Sequence, residues 1–256
     1  MTTVDRRPPT RPAGRMPSPL VEPPFSTVIR EASRAEHEEA ENAGFGQALL
    51  GGLLTVDAYA ELAAQTYLIY ATLEEATAAQ RTDPIGAAFV FDELLRLPAL
   101  ERDLAYLRGA AWRGSIEALP ATTRYCDRLR EVCFTWAGGF VAHQYTRYLG
   151  DLSGGQVIRR VLAREYGLAD EGARFYVFEG IPKPKPFKDL YRARLDAAPW
   201  DATERTRIVA EVKLAFRLNS WLFADLGADM AGYLRNRGAA DAFASSALAT
   251  AADATS

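Results

Sequence analysis

The sequence predicts an all-α protein built as a single domain. Apolar residues recur at helical spacing between Tyr59 and Leu73 and again between Val209 and Leu226. Residues 174–178 favour a strand by composition, but one such stretch in an otherwise helical chain does not make a sheet, so we expect an extended loop. With 256 residues and 48% hydrophobic content, the chain is long enough to enclose one sizeable core.

The composition changes at both ends of the chain. Residues 1–25 are rich in Pro and Arg without the apolar run of a signal peptide, and residues 239–256 are mostly Ala, Ser, Thr and Asp. We expect both segments to be disordered and a helical domain to occupy residues 26–238. No apolar stretch approaches the roughly 18 residues that span a bilayer, and the net charge of −3 offers no general attraction to nucleic acid. We therefore expect a cytoplasmic protein that binds neither membranes nor nucleic acid.

The first half of the chain predicts a series of helices with recognisable ends. Ser26 or Thr27 can cap a first, mostly polar helix that runs to about Asn42. A short amphipathic turn and a long core helix follow, and glycines and prolines divide the rest. The expected breaks are Gly44, Gly46, Pro98 and the stretch 109–120, and the expected elements are a turn at 49–54 and helices at 55–79, 89–95, 100–107 and 122–136.

The second half alternates helices with stiffer connections. Residues 181–186 carry a proline at every second position, so we expect a basic connector that cannot be helical. It leads to a helix at 187–195. Asp201 and Glu204 then have the spacing of a capping box before the final long helix.

Three glycines interrupt a helical pattern that ends near residue 166. Gly150, Gly154 and Gly155 would each cost roughly 0.5–1 kcal/mol relative to Ala inside a helix. The apolar face that ends at Leu152 is rotated by about half a turn from the face that resumes at Ile158, so we expect one long helix kinked at its glycines. Bare backbone at the kink would admit a flat group. A loop between two helices fits the composition equally well.

His37 lies on the polar first helix with three charged neighbours. Arg30 and Arg34 precede it by seven and three residues, and Glu41 follows by four, so all of them share one face. Glu41 can orient one ring nitrogen and leave the other for a metal. A structural histidine held by a carboxylate fits the same spacing.

The stretch from His143 to Val157, HQYTRYLGDLSGGQV, resembles the distal-helix signature of the haem oxygenases nearly residue for residue. The resemblance runs from about Ile29 to Phe223. It implies an all-α fold in which haem lies between a proximal helix, which carries His37, and the glycine-kinked distal helix. Further matching segments are Glu31–Asn42, Tyr67–Glu75, Leu100–Tyr106, Phe187–Arg194 and Ala215–Phe223.

The resemblance also implies a role for each matched residue. His37 would be the axial ligand of the haem iron. Gly150 and Gly154 would form the bare distal wall, and Asp151 would hold water that supplies protons for catalysis. The other residues expected to bind haem, anchor its propionates or complete the polar network are Arg30, Arg34, Glu41, Tyr70, Tyr145, Arg147, Lys188, Arg192, Phe216 and Asn219. His143 lies too far from the glycines to bind an iron above them, so we expect a structural role.

The implied activity is the cleavage of haem b, which serves as both cofactor and substrate. The expected products are biliverdin, CO and ferrous iron, formed with O2 and electrons from an external donor. A ferredoxin or a flavin reductase is the expected donor, and we expect the enzyme to be a monomer. A haem transport or storage protein would need the same His37, but neither the kink nor Asp151.

Two other classes of helical enzyme are disfavoured by the residues present. Di-iron carboxylate enzymes need Glu-x-x-His pairs, but the residues three before the two histidines are Arg34 and Phe140. Thiamin-degrading enzymes need an activated cysteine. Cys126 and Cys133 lie among residues with the spacing of a helical core and have no histidine nearby in the sequence. Neither is therefore predicted to be an activated thiol.

Overall fold

The computed structural model describes residues 22–235. Within that range the chain is helical, and an isolated β-bridge joins Leu54 to Leu234. Residues 1–21 and 236–256, which hold most of the two predicted terminal segments, lie outside the described residues. The α-helices are α1 (Phe25–Ala32), α2 (Arg34–Glu41), α3 (Gly44–Leu50), α4 (Val56–Gln80), α5 (Leu97–Arg108), α6 (Pro120–Val132), α7 (Ala137–Gln144), α8 (Gly155–Tyr166), α9 (Pro184–Ala197), α10 (Ala202–Gly227) and α11 (Met230–Tyr233). Among these helices none is both long enough and apolar enough to cross a membrane.

Two long helices, α4 and α10, form the centre of the fold. α4 packs against α5, α6 and α7, whereas α10 packs against α2, α3, α6 and α7. Thr55 caps α4, since its side-chain oxygen accepts a backbone N–H of the first turn at 3.3 Å, and Asp201 caps α10 by accepting the Glu204 N–H at 2.7 Å. The capping box is incomplete, because the Glu204 carboxylate accepts from Trp136 and Arg207 instead. Since α10 touches both α2 and α7, it connects the two segments that the sequence singles out.

The predicted first helix is wrong in its start and its continuity. α1 begins before both predicted caps, and Ser26 instead donates from its N–H and its hydroxyl to Asp196 of α9, at 2.7 and 3.0 Å. The helix is interrupted at Ser33, whose hydroxyl donates to the carbonyl of Ile29 at 2.8 Å. A serine side chain that bonds back to its own backbone competes with a regular helix. α1 and α2 are therefore two short helices.

Three predicted breaks and one proline of the predicted connector lie inside helices. Gly44 and Gly46 belong to α3, Pro98 lies in the first turn of α5, and Pro184 begins α9. Proline is tolerated in a first turn because the N–H that it lacks would have no partner within the helix. The predicted helix at 89–95 is also wrong, since short 3-10 turns replace it.

The kink at the distal glycines is confirmed. α7 continues into a wider π segment (Tyr145–Leu149) and two further helical residues, and the chain then turns at residues 152–154 before α8. The N–H groups of Ser153 and Gly154 both donate to the Gly150 carbonyl, at 3.0 and 2.8 Å. The bend therefore begins where the sequence places its first glycine.

Candidate active site

His37 projects from α2 toward α10. Its Nδ1 lies 3.5 Å from Glu41 Oε2, and its ring meets the Phe216 ring edge-on, with centroids 5.3 Å apart. The carboxylate thus faces Nδ1, and Nε2 lies on the other side of the ring, where it can bind a metal. The His37 side chain is 49% exposed, so a group from solvent can reach the ring.

The distal wall is made of bare backbone at two of the three glycines. A Cβ added at Gly150 would meet no atom of the described chain within 4 Å, and a Cβ at Gly154 would meet only the Gly150 carbonyl, at 3.6 Å. At Gly155 the added carbon would lie 2.8 Å from the Tyr176 ring. Gly150 and Gly154 therefore border open space, whereas Gly155 is required by packing.

Asp151 is the acid of the distal wall. The Tyr70 hydroxyl donates to Asp151 Oδ2, and the Arg147 guanidinium lies 5.0 Å from the centre of the Tyr70 ring. Arg147 donates in turn to the side-chain oxygen of Asn219 on α10. Burial raises the pKa of Asp151 above its ordinary value, although the Arg147 charge, the Tyr70 hydrogen bond and the Arg96 charge all oppose the rise.

Helix α10 brings the proximal and distal groups together. Phe216 contacts His37, and Asn219, which is three residues further along the same helix, accepts the hydrogen bond from Arg147. The predicted axial ligand and the predicted distal network thus share one support.

Basic residues collect at one edge of the site. Lys188 Nζ donates to the Ser153 hydroxyl at 3.0 Å, next to the glycine turn. Arg192 pairs with Asp189 at 3.3 Å. The charges of Arg192 and Arg30 both act on the Tyr145 hydroxyl, whose pKa is nevertheless raised by burial. This edge can receive carboxylates of a ligand.

Arg34 is a predicted site residue that does not contact the rest of the predicted site in the described part of the chain. It begins α2, whereas Arg30 belongs to α1, because the break at Ser33 separates the two arginines. Arg34 is exposed, and it makes no recorded hydrogen bond or ion pair with the other site residues in the described part of the chain.

Tyr125 and Arg96 are polar residues of the site that the sequence reasoning missed. The Arg147 guanidinium lies 6.0 Å from the Tyr125 ring, and both the Tyr125 hydroxyl and Arg147 Nε are buried without a hydrogen-bond partner among residues 22–235. Such atoms are normally satisfied by water or ligand. Arg96 is only 7% exposed, and its charge acts on Asp151. Neither residue stands out in the sequence, because Tyr125 has the spacing of a packing residue and Arg96 lies in a predicted break.

The matches with known proteins identify the family. A family model described as "Heme oxygenase" matches residues 23–225. The chain belongs to the haem oxygenase family. It is 37% identical over 202 residues to heme oxygenase 1 of Synechocystis, covering 79% of this chain and 84% of that protein, and 40% identical over 205 residues to human heme oxygenase 1, covering 79% and 71%.

Solved structures agree with this assignment. Heme oxygenase-1 of Synechocystis, solved in complex with heme, superposes with a TM-score of 0.78 at 36% identity, covering 82% of this chain and 95% of that one. The enzyme from Leptospira interrogans gives a TM-score of 0.75 at 34% identity, covering 78% and 98%. The predicted family, its helical fold and its enzyme class, a haem-degrading oxidoreductase, are confirmed.

The other enzyme classes find no support in this haem oxygenase chain. Within residues 22–235, no three His, Cys, Asp or Glu side chains gather as a metal cage. Cys126 and Cys133 are both buried, and burial raises the pKa of each thiol. An activated cysteine needs the opposite shift.

His143 is fully buried in the core, whereas Gly150 and Gly154 border open space. Its Nε2 is 2.9 Å from Glu211 Oε1, and Arg128 donates to both oxygens of the same carboxylate. Burial acts to raise the pKa of Glu211, but the hydrogen bonds from Arg128 and His143 outweigh it and lower that pKa to about 2. This arrangement agrees with the structural role expected for His143.

Acid should therefore weaken the wild-type fold more than a variant without this carboxylate. The pKa of Glu211 in the folded protein, about 2, lies below its ordinary value of 4.5. Glu211 therefore contributes fully to the free energy of unfolding above pH 4.5, and this contribution is lost as the pH falls from 4.5 to about 2. At about 1.4 kcal/mol per pKa unit, the loss is roughly 3 kcal/mol. Urea unfolding near neutral pH and at about pH 3 should show Glu211→Gln to be less stable at the first pH and less sensitive to acid. Equal pH dependence in both proteins would contradict this role.

Proposed function

We propose that this chain cleaves haem b with O2 and externally supplied electrons, releasing biliverdin, CO and ferrous iron. The observation that carries the proposal is the double contact of α10, where Phe216 meets His37 and Asn219 meets Arg147. This contact supports the proposal because one helix touches both the histidine, whose Nε2 can take a metal, and the arginine that lies near the half-buried acid Asp151. A haem carrier needs the histidine, but it does not need the acid or the glycine backbone.

The residues present fit a haem. When bound, haem supplies the iron that activates O2 and the ring that is oxidised. His37 Nε2 would hold the iron, with Glu41 fixing the ring through Nδ1. Gly150 and Gly154 would let the porphyrin lie against backbone, because side chains there would fill the open space.

Asp151 would hold and pass protons on the distal side. Its raised pKa brings it closer to the range in which a carboxyl both takes up and releases protons. Tyr70 and Arg147 keep the carboxylate in place, and the unpartnered Tyr125 hydroxyl and Arg147 Nε can order water beside it. Asp151 and the water beside it would thus deliver protons to the haem substrate.

The reaction consumes electrons, so a donor protein must supply them. We propose a ferredoxin or a flavin reductase, and a monomeric enzyme that works in the cytoplasm. Mixing the enzyme with each donor class and following CO formation distinguishes the two donors.

Absorption spectroscopy tests the proposed activity. Haemin mixed with the protein, O2 and a reductant should lose the haem band and gain a bilin band, and omission of either O2 or reductant should prevent the change. A haem carrier would retain the haem band under all of these conditions, and that result would contradict the proposal.

Alanine at Gly150 and alanine at Gly155 should have opposite effects on the stability of the apoprotein. Gly150 has helical backbone angles and open space at Cβ, so Gly150→Ala should stabilise the apoprotein by about 0.5–1 kcal/mol. The same methyl group should weaken haem binding by filling the distal wall. Gly155→Ala should destabilise the fold by about 1–3 kcal/mol, because Tyr176 must move. Thermal unfolding of both apoproteins and haem titration measure these effects, and weaker haem binding by Gly155→Ala alone would contradict the assignment.

Lys188 and Arg192 should determine which meso carbon of the haem is oxidised. A charge-assisted hydrogen bond contributes about 1.5–3 kcal/mol, which is enough to select one in-plane orientation of the haem. The double variant Lys188→Ala, Arg192→Ala should therefore make a mixture of biliverdin isomers. Lys185→Ala serves as the control, since this exposed lysine pairs with Asp189 in the same helix. A single α isomer at unchanged haem affinity in the double variant would show that these two cations are only a solvated face.

A further inference from the structure

The proximal helix α2 packs against α10 without burying any of its own residues fully. It has eight residues, RAEHEEAE, and in the described chain none of them is buried. A helix of this length is not stable alone in water, and the break at Ser33 separates α2 from α1. The direction in which His37 points must therefore be set by contacts between α2 and its neighbours.

A charge pair joins α2 to α10 beside the histidine. Glu36 Oε1 lies 3.2 Å from Lys213 Nζ, and the two side chains are only 14% and 35% exposed. Glu36 directly precedes His37, and Lys213 precedes the His37 contact Phe216 by three residues. The ion pair and the aromatic contact thus join α2 to α10 at adjacent residues of α2, Glu36 and His37. By contrast, the His37–Glu41 pair lies within α2 and cannot attach the helix to anything.

We propose that Glu36 and Lys213 are positioning residues for the iron ligand. Their ion pair holds α2 against α10 and so aims His37 Nε2 at the haem, an inference that rests on the proposed function. Removing either partner leaves the other as a partly buried, unpaired charge. Glu36 Oε2 is buried without a hydrogen-bond partner in the described residues, and Oε1 makes the Lys213 contact, while the Arg217 charge also acts on this carboxylate.

Haem transfer to excess apomyoglobin tests the proposal without turnover. Glu36→Gln and Lys213→Met should each release ferric haem about 10-fold faster, the lower end of the loss seen when a group that supports a metal ligand is removed. The charge-reversed double variant Glu36→Lys, Lys213→Glu should recover most of the wild-type rate. Glu39→Gln removes the same charge from an exposed site on α2 and should leave the rate unchanged.

Two spectroscopic readouts separate positioning from general destabilisation. Electron paramagnetic resonance of the ferric complexes should show a fraction without axial histidine in the single variants only. Amide hydrogen exchange of the apoproteins should be faster in α2 but not in α4. Wild-type haem release and exchange in both single variants, or a double variant no better than they are, would overturn the ion-pair role. Failure of the wild type to bind haem through a histidine would instead contradict the proposed function.

Discussion

Replacing His37 with Ala should abolish haem turnover in this protein. Of the two histidines, only His37 is exposed enough to bind an iron, because His143 is buried against Glu211. Haem should still enter the site through its propionates and the glycine wall, but the iron would lack its axial nitrogen. We expect biliverdin formation to fall below detection and the spectrum of the bound haem to change.

Added imidazole provides the matched test for His37→Ala. A free imidazole can occupy the space left by the side chain, so it should partly restore ligation and with it the spectrum. His143→Ala is the control and should keep the wild-type haem spectrum while losing stability, because it removes one hydrogen bond from the Glu211 carboxylate. A wild-type spectrum in His37→Ala without imidazole would rule out the ligand assignment.

Replacing Asp151 with Ala should separate haem binding from haem cleavage. The carboxylate contacts Tyr70 and lies near Arg147, and neither contact bears on the iron ligand. The variant should bind haem nearly as well as the wild type but lose biliverdin production by about 100-fold or more, the usual size of a general acid–base contribution. With hydrogen peroxide the variant should oxidise added phenols faster than the wild type. Without the carboxylate that supplies protons for ring oxidation, the protein should turn toward peroxidase-like chemistry.

Asp151→Asn separates the proton-carrying role from a role in the kink. The amide keeps the shape and can still accept from the Tyr70 hydroxyl, but it cannot take up and release a proton. It should therefore be as inactive as Asp151→Ala. Normal biliverdin yield from either folded variant would leave Asp151 as a residue that only satisfies backbone groups at the kink.

The sequence predicted the long helices and the distal kink well because their signals are local. Helical spacing marks α4 and α10, Thr55 and Asp201 mark their starts, and the glycines mark the bend. Tyr70, Arg147 and Asp151, which lie together on the distal side, were named through the family resemblance, because it assigned roles that spacing alone left open.

The errors have a tertiary origin. Ser26 failed as a cap because Asp196, which is 170 residues away in sequence, accepts both of its hydrogen bonds. The sequence reasoning missed Arg96 and Tyr125 for the same reason. Their surroundings are set by tertiary packing, of α5 on α4 for Arg96 and of α6 on α4 and α7 for Tyr125. The Glu36–Lys213 pair likewise joins two helices that are distant in the chain, and a charged residue on a polar helix predicts only a solvated face.

The most direct test of the central claim is to measure CO and biliverdin together from a known amount of haem. Wild-type protein supplied with haemin, O2 and a reductant should form equal amounts of both products, whereas Asp151→Ala carrying the same amount of haem should form almost none. Intact haem in the wild-type reaction, or equal yields from both proteins, would contradict a haem-cleaving site built around His37 and Asp151.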